Sequence, residues 1–451
     1  MFFLFTIPAS LGVTKSRFEE LELFNKVLYL IESQYYRDVD TNKLIEGAIK
    51  GMMDTLDPHS AFLNKDFFTK MQNDTDGEFG GLGIEVTQKD GILYVVTPID
   101  DTPAFKAGIR PKDKIIEINH EQIIGLTLDE AIEKMKGKPG AEIHLGISRE
   151  GAKGVKHFTL KREIIKIKPV KSALISDHYA FIRLTQFQRR AASEIEKSLK
   201  TLKKKAKKNG GLKGIVLDLR SNPGGLLDQA VDVSSLFLKE GVVVSTEARD
   251  PNNKDIRYVK KSGYKDLKTP IVVLVNGASA SASEIVAGAL QDHKRAIIMG
   301  SQTFGKGSVQ TVAKIDEENG VKLTIAQYMT PKNRKIQALG IEPDIALSEV
   351  DAKVLAENKM SNQFVREKDL RNHLTATIET PEEKKQRLED ERKARAARAQ
   401  RLAEAKNKKK NKGAEDAIFK KYEPTEDYQV LQAINHLRSF QVYNMFQSAK
   451  K

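Results

Sequence analysis

Five apolar residues in a row, "IVVLV" at 271–275, run almost directly into the small-residue stretch "GASASASEIVAGAL" at 277–290. This junction restricts the fold more than any other part of the chain. An unbroken apolar run has no polar face to show to water, so it reads as a strand buried on both sides. "EIVAGAL" after it has the small-apolar spacing of a buried helix. From about Lys168 onward further apolar strand patterns, "YAFIRLTQF", "GIVLDLR" and "RAIIMG", alternate with helical ones. That alternation is the signature of an α/β sheet.

Upstream the period is different. "RFEELELFNKVLYLIESQYYRDVDTNKLIEGAIKGMMDTLDPHSAFL" repeats its apolar residues at three and four, giving two helices closed by "LDPHS". Short strand patterns and turns follow, with one clear helix at 128–135, and these make a compact module. A chain of 451 residues has room for two or three such units. The expected organisation is a signal or anchor remnant at 1–16, a helical region at 17–76, a small β module at 77–165 and an α/β core at 166–350. A charged helical insertion or tether at 351–422 and a helical end at 423–451 complete it. Residues before Lys15 are uncharged, too short a run to span a bilayer but suited to the core of a secretory signal whose start lies upstream. The basic lead-in and the A-x-A cleavage pattern of such a signal are both missing. Export is therefore the expectation, to the periplasm or to the outer side of the inner membrane.

Composition removes several chemistries. With no cysteine there is no disulfide, no thiolate metal site and no cysteine nucleophile. The eight histidines occur singly, without metal-ligand spacing, and no G-x-S-x-G elbow is present, so neither a metal nor a Ser-His-Asp site is expected. Half of the net charge of +14 sits in one segment, 381–413, with 13 Lys/Arg against 6 Asp/Glu. That segment mixes both signs at helical spacing and carries no interleaved aromatics, which argues for a solvated tether and against a nucleic-acid surface.

Two constellations remain. Ser279, Ser281 and Ser283 stand at the strand-to-helix turn, where the first helical amides lack partners and the dipole favours a negatively charged oxygen. Judged by position alone, any of them is a helix cap. Downstream, "QTFGKGSVQ" sets Lys306 between Gly305 and Gly307, with Gln310 four residues on. In an extended segment residues i and i+4 share a face, so the Gln310 amide would hold the lysine amine. A base there needs a neutral lysine; burial lowers a lysine pKa by up to about 3 to 5 units at about 1.36 kcal/mol each. Ser-Lys pairs are a known alternative to Ser-His-Asp. Standing alone, Lys306 is a surface lysine in a glycine turn, and the S-x-x-K match at Ser262 and Lys265 is chance within a polar stretch. The second constellation, "GGLGI" at 80–84, is either a tight turn or a nest of amides for a carboxylate.

Together with "AGIRPKDKIIEIN", that loop resembles a PDZ domain over the whole small module. The resemblance implies that Gly81, Leu82, Gly83 and Ile84 receive a peptide's terminal carboxylate and last side chain. From about residue 18 to 347 the chain resembles the carboxyl-terminal processing peptidases, or tail-specific proteases, of the Ser/Lys S41 type. The motifs are "LDPHSAFL", "GGLGIEV", "DLRSNPGGLL", "VNGASASASEIVAGALQD", "GSQTFGKGSVQ" and "GIEPDI". The implied fold is mixed α/β and multidomain, with a helical N-terminal region, a PDZ β-sandwich-like module and a crotonase-like α/β protease core. In that family the nucleophile precedes the lysine by the 25 residues that separate Ser281 from Lys306, and the glutamine follows by four. The resemblance thus implies Ser281 as nucleophile, Lys306 as general base and Gln310 as its orienter. It also implies an oxyanion hole from the amides of Ala282 and of Gly224 or Gly225, and leaves turn and cap roles to Ser279 and Ser283. The implied activity is a serine endopeptidase that needs no cofactor and cuts proteins held by their unstructured C-terminal tails. A homodimer or higher oligomer, and an adaptor, are the implied partners. Asn333 departs from the family's glycine yet tolerates a left-handed turn, and after the insertion "EDYQVLQAINHLRSF" resumes the closing helix. Two other readings compete: a PDZ scaffold that binds without cutting, and an acyl-CoA enzyme of crotonase type, in which "FGKGSVQ" has no role.

Overall fold

The computed structural model describes residues 17–64, 77–89, 91–123, 125–151, 154–250, 252–317, 319–348, 365–370, 372–376, 380, 382–389, 392 and 422–448. Residues 1–16, expected to be a signal or anchor remnant, and most of the charged stretch at 381–413 lie outside them. Among the described residues no helix is long and apolar enough to cross a membrane.

Two helices open the chain, α1 (Arg17–Gln34) and α2 (Thr41–Asp54). Asp40 starts α2 by accepting the Asn42 and Lys43 N–H groups at 3.0 and 3.4 Å. A short strand, β1 (Ala61–Leu63), follows "LDPHS". After β2 (Glu78–Gly81) come β3 (Ile84–Lys89), β4 (Ile92–Pro98), the one-turn helix α3 (Pro103–Lys106), β5 (Lys114–Ile118) and β6 (Glu121–Gln122). Helix α4 (Leu128–Met135) covers the residues expected of it and begins with a Thr127–Glu130 capping box. The module then adds β7 (Glu142–Ser148), β8 (Val155–Lys161) and β9 (Glu163–Lys166). Its antiparallel sheet runs β3-β4-β5-β7-β8, with β6 on β5, while β9 pairs with β2. Leu93, Val95, Ile143, Leu145 and Ile147 alternate along β4 and β7 and fill its core. Among the described residues strand β3 pairs only with β4, which leaves its other edge open.

The larger unit holds β10 (Val170–Ile175), β11 (Tyr179–Leu184), α5 (Ala191–Ala206), β12 (Gly214–Asp218), α6 (Leu227–Ser235), β13 (Val242–Ala248) and β14 (Ile256–Tyr258). It continues with β15 (Ile271–Val275), α7 (Ala282–Asp292), β16 (Ile297–Gly300), β17 (Ser308–Lys314), β18 (Gly320–Met329), β19 (Ile345–Ala346) and α8 (Tyr428–Ser448). Six strands form one sheet in the order β10-β11-β12-β15-β16-β19, parallel except for β10. Its faces explain the run at 271–275. Ile271, Val273 and Val275 point into a cluster with α5, α6 and α7, while Val272 and Leu274 meet Val430, Ala433, Ile434 and Leu437 of α8. Helices cover both faces, so no position in β15 tolerates a polar residue.

A second, antiparallel sheet was not legible in the sequence: β1-β18-β13-β14, with β17 folded back on β18. Through β1 it ties the helical preface to the protease region. Residues 365–370 and 372–376 fall within the stretch read as a charged insertion, yet they are tied to the folded units: the Gln327 amide donates to the Thr375 carbonyl at 3.0 Å and the Asn372 amide to the Asp54 carbonyl at 3.1 Å. Asn333 does take the left-handed conformation, with φ 56°.

Candidate active site

Beyond β15 the backbone reaches Ser281 in a sparsely populated conformation, φ 54° and ψ −113°, immediately before α7. Such strain persists only where the surroundings over-determine it. The flanking serines supply part of that restraint. Ser279 Oγ donates to the Leu219 carbonyl at 2.8 Å and accepts the Asn276 N–H at 3.0 Å, and Ser283 Oγ donates to the Asn222 carbonyl at 2.9 Å. Both are fully buried, whereas Ser281 is partly exposed. Of the three, only Ser281 can be reached from solvent.

The "NPGG" loop crosses directly over this turn. A Cβ on Gly224, whose φ is +102°, would sit 2.8 Å from both the Ala280 carbonyl oxygen and Ser281 Cβ, so the approach requires glycine. The Gly224 N–H donates to Asn222 Oδ1 at 2.9 Å. The N–H groups of Gly225 and Ala282 make no hydrogen bond among the described residues.

What joins the serine turn to the lysine loop is a residue the sequence reading passed over, Glu284. Its side chain is fully buried. Oε2 accepts the Ser281 N–H at 2.8 Å and the Lys306 N–H at 2.9 Å, while Oε1 accepts the Gly305 N–H at 2.7 Å and the Thr303 hydroxyl at 2.5 Å. The backbones of Ser281 and Lys306 therefore share a single oxygen atom. Burial pushes the Glu284 carboxyl up to about 7 against the pull of those donors. The signal was present in the sequence as Ser281-x-x-Glu284, the spacing of a capping box.

Lys306 lies in the loop ahead of β17, with its amine partly buried. Burial lowers its pKa from the ordinary lysine value, helped by Lys322; Glu367, Glu284 and Asp57 oppose the shift. Lys306 and Gln310 do not lie on one extended segment, because β17 begins at Ser308 and its pairing register shifts between Val309 and Gln310. The Gln310 amide donates to Ser308 Oγ at 2.8 Å and Thr324 Oγ1 at 3.4 Å rather than to the amine. Lys265, dismissed with Ser262, donates to the carbonyls of Ser235, Leu238 and Lys260 at 2.7 to 3.0 Å, a structural role.

In the small module the Leu82 and Gly83 carbonyls are occupied, accepting the Ala104 N–H at 3.1 Å and the Ile99 N–H at 2.8 Å. Their N–H groups make no hydrogen bond among the described residues. Gly83 has φ +73°, and a Cβ there would meet Thr102 at 2.4 Å. Gly81 ends β2, where it pairs with Glu163 of β9, and Ile84 begins β3, so the loop leads from the β2-β9 ladder onto the edge strand β3.

Residues 178–347 match the profile of peptidase family S41, residues 80–157 the PDZ domain, and residues 7–67 the activating protease CtpB N-terminal domain. The carboxy-terminal-processing protease of Bartonella bacilliformis is 44% identical over 366 residues, 81% of this chain and 83% of that one. The chain belongs to peptidase family S41. Among other S41 relatives, the carboxy-terminal processing protease CtpA of Bacillus subtilis is 36% identical over 331 residues, 73% of this chain and 69% of that one. Among solved structures, the photosystem II D1 C-terminal processing protease is 29% identical with a TM-score of 0.43, covering 73% of this chain and 93% of that one. Membership identifies the chain as a serine-type, PDZ-containing S41 peptidase of the carboxy-terminal processing group.

Proposed function

We propose that this peptidase captures the free C-terminal tail of an unstructured protein and cleaves it with a Ser281-Lys306 pair. The observation that carries the reading is the shared Glu284 carboxylate, which fixes the strained serine turn and the lysine loop on one buried anchor. Neutral Lys306 takes the proton as Ser281 Oγ attacks the carbonyl, giving an acyl-enzyme that water hydrolyses. The oxyanion is received by the Ala282 and Gly225 amides, since the Gly224 amide is already engaged by Asn222. Gln310 orients the amine once its amide leaves Ser308. Tail capture falls to Gly81, Leu82, Gly83 and Ile84, where unpaired amides face a carboxylate and β3 offers an edge for strand addition.

Assembly into a homodimer or larger oligomer draws support from the apolar side chains that α1 exposes, among them Phe18, Leu21 and Tyr29. Export rests on the uncharged residues before Lys15, and adaptor docking on the charged segment at 381–413. We keep the domain limits read from the sequence as part of this proposal, with residues 365–370 and 372–376 assigned to the core. The test is incubation of the purified protein with an unstructured tagged substrate, followed by mass spectrometry of both fragments. Ser281→Ala and Lys306→Ala each abolish cleavage, while Ser279→Ala and Ser283→Ala keep most of it and lose about 1 kcal/mol of stability. Cleavage by purified Ser281→Ala overturns the nucleophile assignment.

A further inference from the structure

We infer that Glu367, contributed by the segment beyond the S41 match and pinned by His59, is a positioning residue for Lys306. The inference rests on the reading of Lys306 as the base. Its geometry is a clamp. From the inner side, Glu284 holds the Gly305 and Lys306 N–H groups at 2.7 and 2.9 Å. From the outer side, the Glu367 N–H donates to the Phe304 carbonyl at 3.1 Å. The Gly307 N–H donates to Gln337 Oε1 at 2.9 Å, and Gln337 Nε2 donates in turn to Glu367 Oε1 at 3.0 Å. Residues 304, 305, 306 and 307 are thus each held, directly or through Gln337, by one of two buried glutamates, Glu284 preceding the loop in the chain and Glu367 following it.

Glu367 is fully buried, and a carboxylate there must be partnered. Its main partner is His59 of "LDPHS", whose Nε2 lies 2.9 and 2.8 Å from the two carboxylate oxygens. His59 is itself set by Asp57, which accepts the His59 and Ser60 N–H groups at 2.8 and 2.9 Å. Asp57 also accepts the Thr324 hydroxyl at 3.1 Å, and Thr324 is the residue on which the Gln310 amide rests. Residue 59 and residue 367, both outside the matched S41 stretch, therefore meet at the loop that carries the lysine.

The position gives Glu367 an electrostatic as well as a mechanical effect. The charged groups facing Lys306 are Lys322 on β18, Glu284 on α7, Asp57 after α2, and Glu367. Of these, only Lys322 favours the neutral amine. Loss of the Glu367 charge then makes Lys306 easier to deprotonate while loosening the loop that aims it. The two consequences have opposite signs, which a residue that merely supports the fold does not produce.

The test uses the full chain, an unstructured peptide substrate, and kcat and kcat/KM measured across pH, with the thermal midpoint of each variant recorded. Glu367→Gln is expected to lower kcat by roughly tenfold to 10²-fold. It also moves the acidic limb of kcat/KM to lower pH. His59→Gln lowers kcat in the same way, and His59→Gln combined with Glu367→Gln is no worse than the worse single variant. Wild-type kcat with an unmoved limb in Glu367→Gln overturns the inference, as does a loss matched by a fallen thermal midpoint with the limb unmoved. If Glu367→Gln does not fold, Glu367→Asp decides, since it keeps the charge and shortens the reach: lowered kcat with a wild-type limb supports the clamp, and wild-type kcat overturns it. Lys306→Ala separates the two readings. Activity in that variant removes the base itself; an inactive Lys306→Ala beside an unaltered Glu367→Gln removes only the clamp.

Discussion

Glu284 shows what a single residue contributes to a site assembled from three loops. Its carboxyl is raised by burial from 4.5 to about 7, so it adds stability that is complete below pH 4.5 and lost as pH rises through about 7. Glu284→Gln cannot titrate. The advantage of wild type over Glu284→Gln in unfolding free energy should therefore shrink between pH 4.5 and 7.5, by up to about 3 kcal/mol. Denaturant titrations at several pH values check this, and a difference that stays constant with pH removes the shifted carboxyl from the account. The proposed pair, Ser281 and Lys306, came from the likeness to the S41 motifs, whose 25-residue separation can be checked in the sequence alone. The role of Glu284 was only half legible: a local S-x-x-E pattern foretells a capped helix, but the donors at Thr303, Gly305 and Lys306 arrive from a distant loop that no periodicity connects to α7. Proposing Gly225 rather than Gly224 for the oxyanion hole likewise needed the structure, since the proposal rests on the Asn222 side chain accepting the Gly224 N–H.

At the scale of elements, the sequence was clearest where both faces of a strand are buried. β15 reads as an unbroken apolar run, and β12 as one up to Asp218, because α5 to α7 cover one face and α8 the other. The sheet of β1, β13, β14, β17 and β18 was missed because its strands are half polar and partly exposed; "SVQTVAK" in β17 offers little apolar contrast. The segment at 365–376 was misassigned for a related reason, since a polar stretch held by side-chain hydrogen bonds carries no pattern of burial. Helix α8 is the element whose removal should be felt most widely. Leu437 packs so closely that a Cβ on Gly214 would lie 2.8 Å from it. At its start, Asp427 accepts from the Arg220 guanidinium at 3.1 and 2.9 Å, just ahead of "NPGG". Leu437→Ala opens a cavity against β12 and should cost about 2 to 5 kcal/mol. The readout is a lowered denaturant midpoint at unchanged m-value; a cost below about 1 kcal/mol would mean that the outer face of the sheet does not depend on this helix.

The whole molecule combines a PDZ module, a protease core and a charged segment, whose contributions can be separated by experiment. The segment at 381–413 has a composition that cannot pack a core of its own. Replacing it with a short Gly/Ser linker, while leaving 365–376 intact, should preserve hydrolysis of a small unstructured substrate. Loss of activity with the circular dichroism spectrum intact would make the segment part of the catalytic unit. The demand made by the PDZ module is chemical. Amides of Leu82 and Gly83 left without partners offer hydrogen bonds to an anion, and bonds to a charged acceptor are roughly twice as strong as those to a neutral one. A peptide ending in a carboxylate should therefore be cut with a higher kcat/KM than the same peptide ending in a carboxamide, by about tenfold, and mostly through KM, because capture precedes chemistry at Ser281. Gly83→Ala supplies the control within the full chain: with φ +73° and Thr102 2.4 Å from the new Cβ, the loop must deform. In that variant the carboxylate peptide should fall toward the rate of the carboxamide, while kcat at saturating substrate stays near wild type. Equal rates for the two peptides in the unaltered enzyme would leave a Ser-Lys peptidase whose glycine loop serves something other than the tail.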